Sequence, residues 1–159
     1  MVPTAAATNG RGKQSLRVWL RLLTAHNLIE TQIRRRLQEQ FSCTLPQFDV
    51  LAELEHAGAP QTMSQLSRQL MVSNGNLTGV VDRLERDGLV NREASKTDRR
   101  VQFIQLTNSG REQFGRMAVE HEQWLTGLLM DTPTEQLSDM ESRLKNIITS
   151  LRDKLENGD

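Results

Sequence analysis

The chain has 159 residues, enough for one compact domain with a sizeable core. Apolar residues make up 36% and charged residues 25%, an ordinary globular composition. Arg17 and Arg21 break the richest apolar stretch well short of the roughly 20 residues of a membrane span, which excludes such a span. Formal net charge is zero, from 20 Lys and Arg against 20 Asp and Glu, which at first argues against a polyanionic partner. The charges are unevenly placed, however, with a surplus of +5 over residues 1–111 and of −5 over residues 112–159.

Residues 1–15 hold Pro3, an alanine run, Asn9, Gly10 and Gly12 without an apolar period, which predicts a mobile arm with no fold of its own. This stretch also lacks the apolar core of a signal peptide, and the single Cys43 has no disulfide partner within the chain. Both features point to a reduced, cytoplasmic setting. From Leu16 the apolar residues recur at helical intervals through Trp19, Leu20, Leu23, His26, Ile29, Ile33, Leu37 and Phe41, predicting one long helix. Its stripe is wide near the start, so part of it is expected to face a second chain or a ligand cavity, with an all-core role the competing account.

Pro46 permits a second helix that Gly58 and Pro60 stop. Thr62 with Gln65 fits a capping box for a third helix, with Met63, Leu66, Leu70 and Met71 facing inward. After a tight turn, Ser73 can cap a fourth helix with Leu77, Val80, Val81 and Leu84 inward and Gly88 at its end. The period then changes: Leu89 to Glu93 and Val101 to Leu106 read as strands joined by a basic tip. Thr107 opens a fifth helix running to about Met130. Thr132, Pro133 and Glu135 open a sixth, whose Leu137, Met140, Leu144, Ile147 and Leu151 form a coiled-coil seam.

Helix, turn, helix and hairpin over residues 62–106 is the winged helix-turn-helix order, in which the second helix enters the DNA major groove. On the wheel of that helix Gly75, Gly79, Asp82 and Arg86 lie opposite the apolar arc. Two outward glycines, each costing roughly 1 kcal/mol against alanine, imply that something approaches closely. Ser73, Asn74, Gly75, Asn76, Thr78, Gly79 and Arg83 are the candidate DNA contacts on the helix, where asparagine pairs with adenine and arginine with guanine. Lys96, Arg99 and Arg100 at the hairpin tip are candidates for phosphates or a minor groove. Asp98 would repel phosphate, and is read as orienting a neighbouring arginine. Merely solvated polar faces are the competing account at both places.

Several motifs together resemble the MarR (multiple antibiotic resistance regulator) family: the segment Met63 to Leu89, the exit Asp87-Gly88-Leu89-Val90, the Asp98-Arg99-Arg100 wing and the Leu106-Thr107-Asn108-Ser109-Gly110 helix opening. The resemblance implies a mainly α winged helix-turn-helix protein with a small wing and long N- and C-terminal dimerisation helices. The expected division is an arm over 1–15, a dimerisation helix over 16–45, the DNA-binding lobe over 46–106 and C-terminal dimerisation helices over 107–159. It further implies a homodimer that represses from a palindromic double-stranded operator and is released by a small ligand. Leu16 to Leu54 resembles a subgroup that regulates aromatic-acid catabolism and responds to aroyl- or hydroxycinnamoyl-CoA thioesters. Trp19, Leu22, Leu23 and His26 are then candidates for the aromatic group, and Arg34, Arg35 and Arg36 for CoA phosphates. A free phenolic acid, another effector or none, an oxidant acting at Cys43, and a dimeric adaptor that binds no DNA are the alternatives. His26, His56 and His121 lack ligand-spaced partners, so no metal or cofactor is expected. With no nucleophile–base pair or phosphate-binding glycine loop, neither is catalysis.

Overall fold

The computed structural model describes residues 5–98, 100–156 and 158, with side chains from Gly10 onward. Among the described residues six helices and three strands follow in chain order: α1 (Ala5–Phe41), α2 (Leu45–Ala57), β1 (Gln61–Thr62), α3 (Met63–Gln69), α4 (Asn74–Arg86), β2 (Val90–Ala94), β3 (Gln102–Leu106), α5 (Asn108–Leu128) and α6 (Thr134–Glu156). No helix among the described residues is long and apolar enough to cross a membrane. The chain divides into two compact units, residues 1–122 and 123–159.

Of the arm expected over residues 1–15, residues 1–4 lie outside the described residues, and from Ala5 the backbone is already helical. Helix formation there needs no apolar period: alanine is the best helix former, and no proline follows Pro3 until Pro46. The periodic stripe is buried only toward the carboxyl end of α1. Ile33 and Leu37 are buried, whereas Leu16, Leu20 and Trp19 stand open, Trp19 at 59% exposure.

Local signals position the first unit. Thr44 caps α2 in a reciprocal box with Gln47, and Thr62 caps α3 in the same way with Gln65. Gly58 ends α2 in the left-handed region, at φ 61°. α3 stops at Gln69 and Met71 takes φ 54°, so the helical period fails there and its side chain is 85% exposed rather than inward. Leu70 and Met63 are half-buried, and Leu66 alone of that set is fully buried.

Ser73 caps α4, accepting from the Asn76 amide, and Leu77, Val81 and Leu84 enter the core while Val80 is half-buried. The sheet is antiparallel in the order β1-β3-β2. Val90 stands opposite Leu106 and Arg92 opposite Ile104. β1 was not apparent as a strand. Its two residues have no readable period, and they pair only because β3 presents an open edge, Gln61 opposite Ile104 and Thr62 opposite Phe103.

The Leu-Thr-x-x-Gly opening has a physical reason. The Thr107 hydroxyl donates to the Gly88 carbonyl at 2.7 Å and accepts from the Gly110 amide at 2.9 Å, which ties the exit of α4 to the start of α5. A Cβ on Gly110 would fall 2.0 Å from the Leu89 carbonyl oxygen, so only glycine lets the two segments approach this closely. Further along α5, Phe114 and His121 pack their rings against Phe48, and burial pushes the His121 imidazole pKa down.

In the second unit α6 begins at Thr134, one residue beyond the expected Pro133, whose carbonyl accepts from the Leu137 amide. α6 buries none of its residues. Its seam residues Met140, Ile147 and Leu151 are exposed, as are Ile148 and Leu155.

Candidate nucleic-acid interface

α4 projects a face made of the residues its own core does not use. Asn74, Gly75, Asn76, Thr78, Gly79, Asp82, Arg83 and Arg86 are all exposed, opposite the buried Leu77, Val81 and Leu84. A Cβ built on Gly75 or Gly79 meets nothing within 4 Å. No described residue therefore requires these glycines, although each weakens a helix by roughly 1 kcal/mol relative to alanine. Local bonds fix the amino-terminal end: the Ser73 hydroxyl accepts from the Asn76 amide at 3.3 Å, and Thr78 donates to the Asn74 carbonyl at 2.8 Å. The amide side chains of Asn74 and Asn76 make no hydrogen bond to described residues.

The hairpin tip is a hydrogen-bonded turn. Ser95 Oγ accepts from the amides of Thr97 and Asp98, the Val101 amide donates to the Asp98 carbonyl, and the Ser95 amide donates to the Val101 carbonyl. Asp98 Oδ1 accepts from the Arg100 amide at 2.9 Å. Among the described residues this contact of Asp98 runs to the main chain of an arginine, and it shapes the turn that displays Lys96 and Arg100, both exposed. Arg99 lies outside the described residues.

One contributor to this face was not anticipated. Arg92 of β2 reaches back to α4, with Nη1 3.0 Å from Glu85 Oε2 and Nη2 2.5 Å from Asp82 Oδ1. Its partners stand seven and ten residues earlier in the chain, a separation no local spacing rule covers.

The residues proposed for an effector fall in two places. Trp19, Leu22, Leu23 and His26 lie on the exposed part of α1, and His26 Nε2 is 2.9 Å from Glu30. Arg34 instead borders a cavity of about 460 Å³ with Glu30, Asp49, Leu70, Asn76 and Val80, and none of the Trp19 group lines it. Glu30 holds Arg34, whose guanidinium keeps the Glu30 carboxyl below its usual range; burial pushes the Asp49 carboxyl up. Arg35 is engaged with Gln32 and Glu39, and Arg36 is half-buried. Cys43 is 4% exposed and donates to the Thr44 carbonyl, and burial pushes its thiol up to about 11. That is the reverse of the electropositive, accessible setting of a reactive cysteine. No group of three or more metal-binding side chains occurs among the described residues.

Known proteins share this arrangement. The model of the MarR family matches residues 43–101, from just before α2 to the hairpin tip ahead of β3. The HTH-type transcriptional regulator MhqR of Bacillus subtilis (strain 168) is 34% identical over 98 residues, 62% of this chain and 66% of the relative. The chain therefore spans just under two thirds of that protein's length. The HTH-type transcriptional regulator YhbI of the same organism is 30% identical over 125 residues, 73% of this chain and 80% of the relative. Among solved structures, the MarR family transcriptional regulator Sco3205 from Streptomyces coelicolor, in complex with DNA, superposes with a TM-score of 0.74 at 26% identity, covering 86% of each chain. In sequence motif, winged fold and relatives alike, this chain belongs to the MarR family.

Proposed function

We propose that this chain is a transcriptional regulator, not an enzyme, and that it binds double-stranded operator DNA as a homodimer, with α4 in the major groove and the hairpin between β2 and β3 on the flanking backbone. The observation that carries this reading is the pair of glycines at 75 and 79: they thin the exposed face of α4 where no packing among the described residues calls for it. Asn74, Asn76, Thr78 and Arg83 beside them supply donors and acceptors suited to base edges, and Lys96, Arg99 and Arg100 supply cations for phosphates. Dimerisation is supported by the apolar residues left open on α6 and on the first part of α1. The relative solved in complex with DNA is a MarR family regulator.

The test is fluorescence anisotropy with labelled duplexes from the DNA flanking the gene. Arg100→Ala is expected to weaken binding about tenfold at low salt while dimerisation is retained. Unchanged affinity in a folded variant would reject the role of the wing.

As effector we propose an aromatic acid derivative, with a CoA thioester preferred to the free acid, acting as a releaser of repression. The exposed Trp19, Leu22 and Leu23 favour an aromatic group. Tenfold release needs only about 1.4 kcal/mol of difference in ligand affinity between the two states of the protein. Titrating the protein–DNA complex with matched thioesters and free acids decides between the two, and release by free acids alone would sink the thioester.

A further inference from the structure

Asp82 and Glu85 present a problem on a helix meant to meet phosphates. Both carboxylates are partly exposed on α4, Asp82 in line with Gly75 and Gly79 on the outward face. Unpaired, each would oppose a polyanion over a distance of about 10 Å at moderate salt. Arg92 reaches both with separate nitrogens of one guanidinium, and its side chain is only 21% exposed although its strand is at the surface.

The placement follows from the sheet. Val90 and Arg92 share one face of β2 because side chains alternate along a strand. Val90 is buried, so the same face carries Arg92 toward α4. Its register partner Ile104 is wholly buried, which anchors the strand at this point. The guanidinium is thus held at the base of the wing, away from the Ser95–Arg100 tip, with its donors directed to carboxylates rather than outward.

We propose that Arg92 is a positioning and charge-masking residue of the DNA-binding face: its one positive charge is shared between Asp82 and Glu85, halving their joint negative charge, and it sets the wing strand against α4, without contacting DNA. This assignment rests on the reading of α4 as the DNA-reading helix. It explains how a helix carrying two acids can serve a polyanion, and it makes the outward charge of α4 depend on β2. With Arg92 in place, three cations (Arg83, Arg86 and Arg92) stand against two acids, so the cluster is net positive; without it the two acids offset Arg83 and Arg86.

The test measures affinity for a mixed-sequence duplex of about 30 base pairs between about 50 and 200 mM salt, so that no operator need be known. Arg92→Gln is expected to weaken binding about tenfold at low salt, with the loss shrinking toward about 200 mM as salt screens the unmasked acids. Arg92→Lys, which keeps the charge but loses the two-pronged geometry, is expected to fall between, and it serves if the glutamine variant does not fold. Adding Asp82→Asn and Glu85→Gln to Arg92→Gln is expected to restore affinity to within about threefold of wild type, since no acid is left to mask. A triple variant as weak as Arg92→Gln overturns the assignment, because Arg92 would then be acting on DNA directly. Wild-type binding left unchanged by Arg92→Gln and Arg92→Lys also overturns it. A wild-type protein that binds no duplex fails the DNA reading itself and removes this assignment with it, an outcome separate from the other two.

Discussion

The winged lobe over residues 62–106 and the terminal helix α6 both carry apolar residues at helical spacing, but they use them differently. In the lobe, Leu66, Leu77, Val81, Leu84 and Ile104 are all essentially inaccessible to solvent. The polar ends are also satisfied: Thr62 and Ser73 cap, and Thr107 bridges Gly88 to Gly110. α6 has a seam of comparable strength and buries none of it. The lobe is complete within one chain, whereas α6 carries apolar surface that exposure to water penalises by about 25 cal/mol per Å². A part of the chain that solves its own burial can offer polar residues outward. A part that does not solve it offers apolar ones, and so calls for a protein partner.

The contrast can be broken most severely at Gly110. A Gly110→Val side chain would begin 2.0 Å from the Leu89 carbonyl oxygen, and unfolding in denaturant is expected to show a loss of about 3 kcal/mol or more. Wild-type stability in that variant would mean the lobe is looser than its packing indicates. On the other side, Leu144→Asp should leave helix content intact and weaken self-association at least about a hundredfold in sedimentation, since each copy loses a buried leucine. A variant that still dimerises at wild-type concentrations would place the interface elsewhere.

Gly79→Leu sharpens the comparison by separating stability from function. Its Cβ meets nothing, so the fold should gain a few tenths to about 1 kcal/mol. Operator affinity should fall, because the thinned face is refilled. Full binding by this variant would refute the placement of α4.

The smallest expected effect concerns Cys43, inside the lobe-bearing unit. Its thiol is raised from an ordinary 9.0 to about 11, so the folded state holds the proton more tightly than the unfolded chain. The resulting stability is fully present below about pH 9 and is lost as pH rises through about 11. Cys43→Ala is expected to flatten that alkaline limb of a stability titration, and an unchanged limb would assign it to other groups.

Much of the lobe was legible in the residues because its signals are local. A capping box spans three positions, and Thr62 with Gln65 and Thr44 with Gln47 form theirs within one turn. Glycine at 58 and 88 marks positive φ at the ends of helices. The misses have one cause. Met71 was assigned inward by period, but a left-handed backbone at that residue ended the period first. β1 exists only as the partner of β3, and Arg92 matters only because β2 lies beside α4. The α1 start at Ala5 is not legible from apolar period, because the residues before Leu16 carry no such period and the backbone is helical there without it.

The capped starts of α2, α3 and α4, the order of helix, turn, helix and hairpin, and the outward glycines of α4 were determined by the sequence alone, since each cap depends on groups within about four residues along the chain. Tertiary structure decided the rest. It brought the Gly110 backbone against Leu89, sank the Cys43 thiol and set one arginine between two acids of α4. These depend on which elements meet. Burial and ion pairing act through space, and only the folded chain settles which distant residues become neighbours.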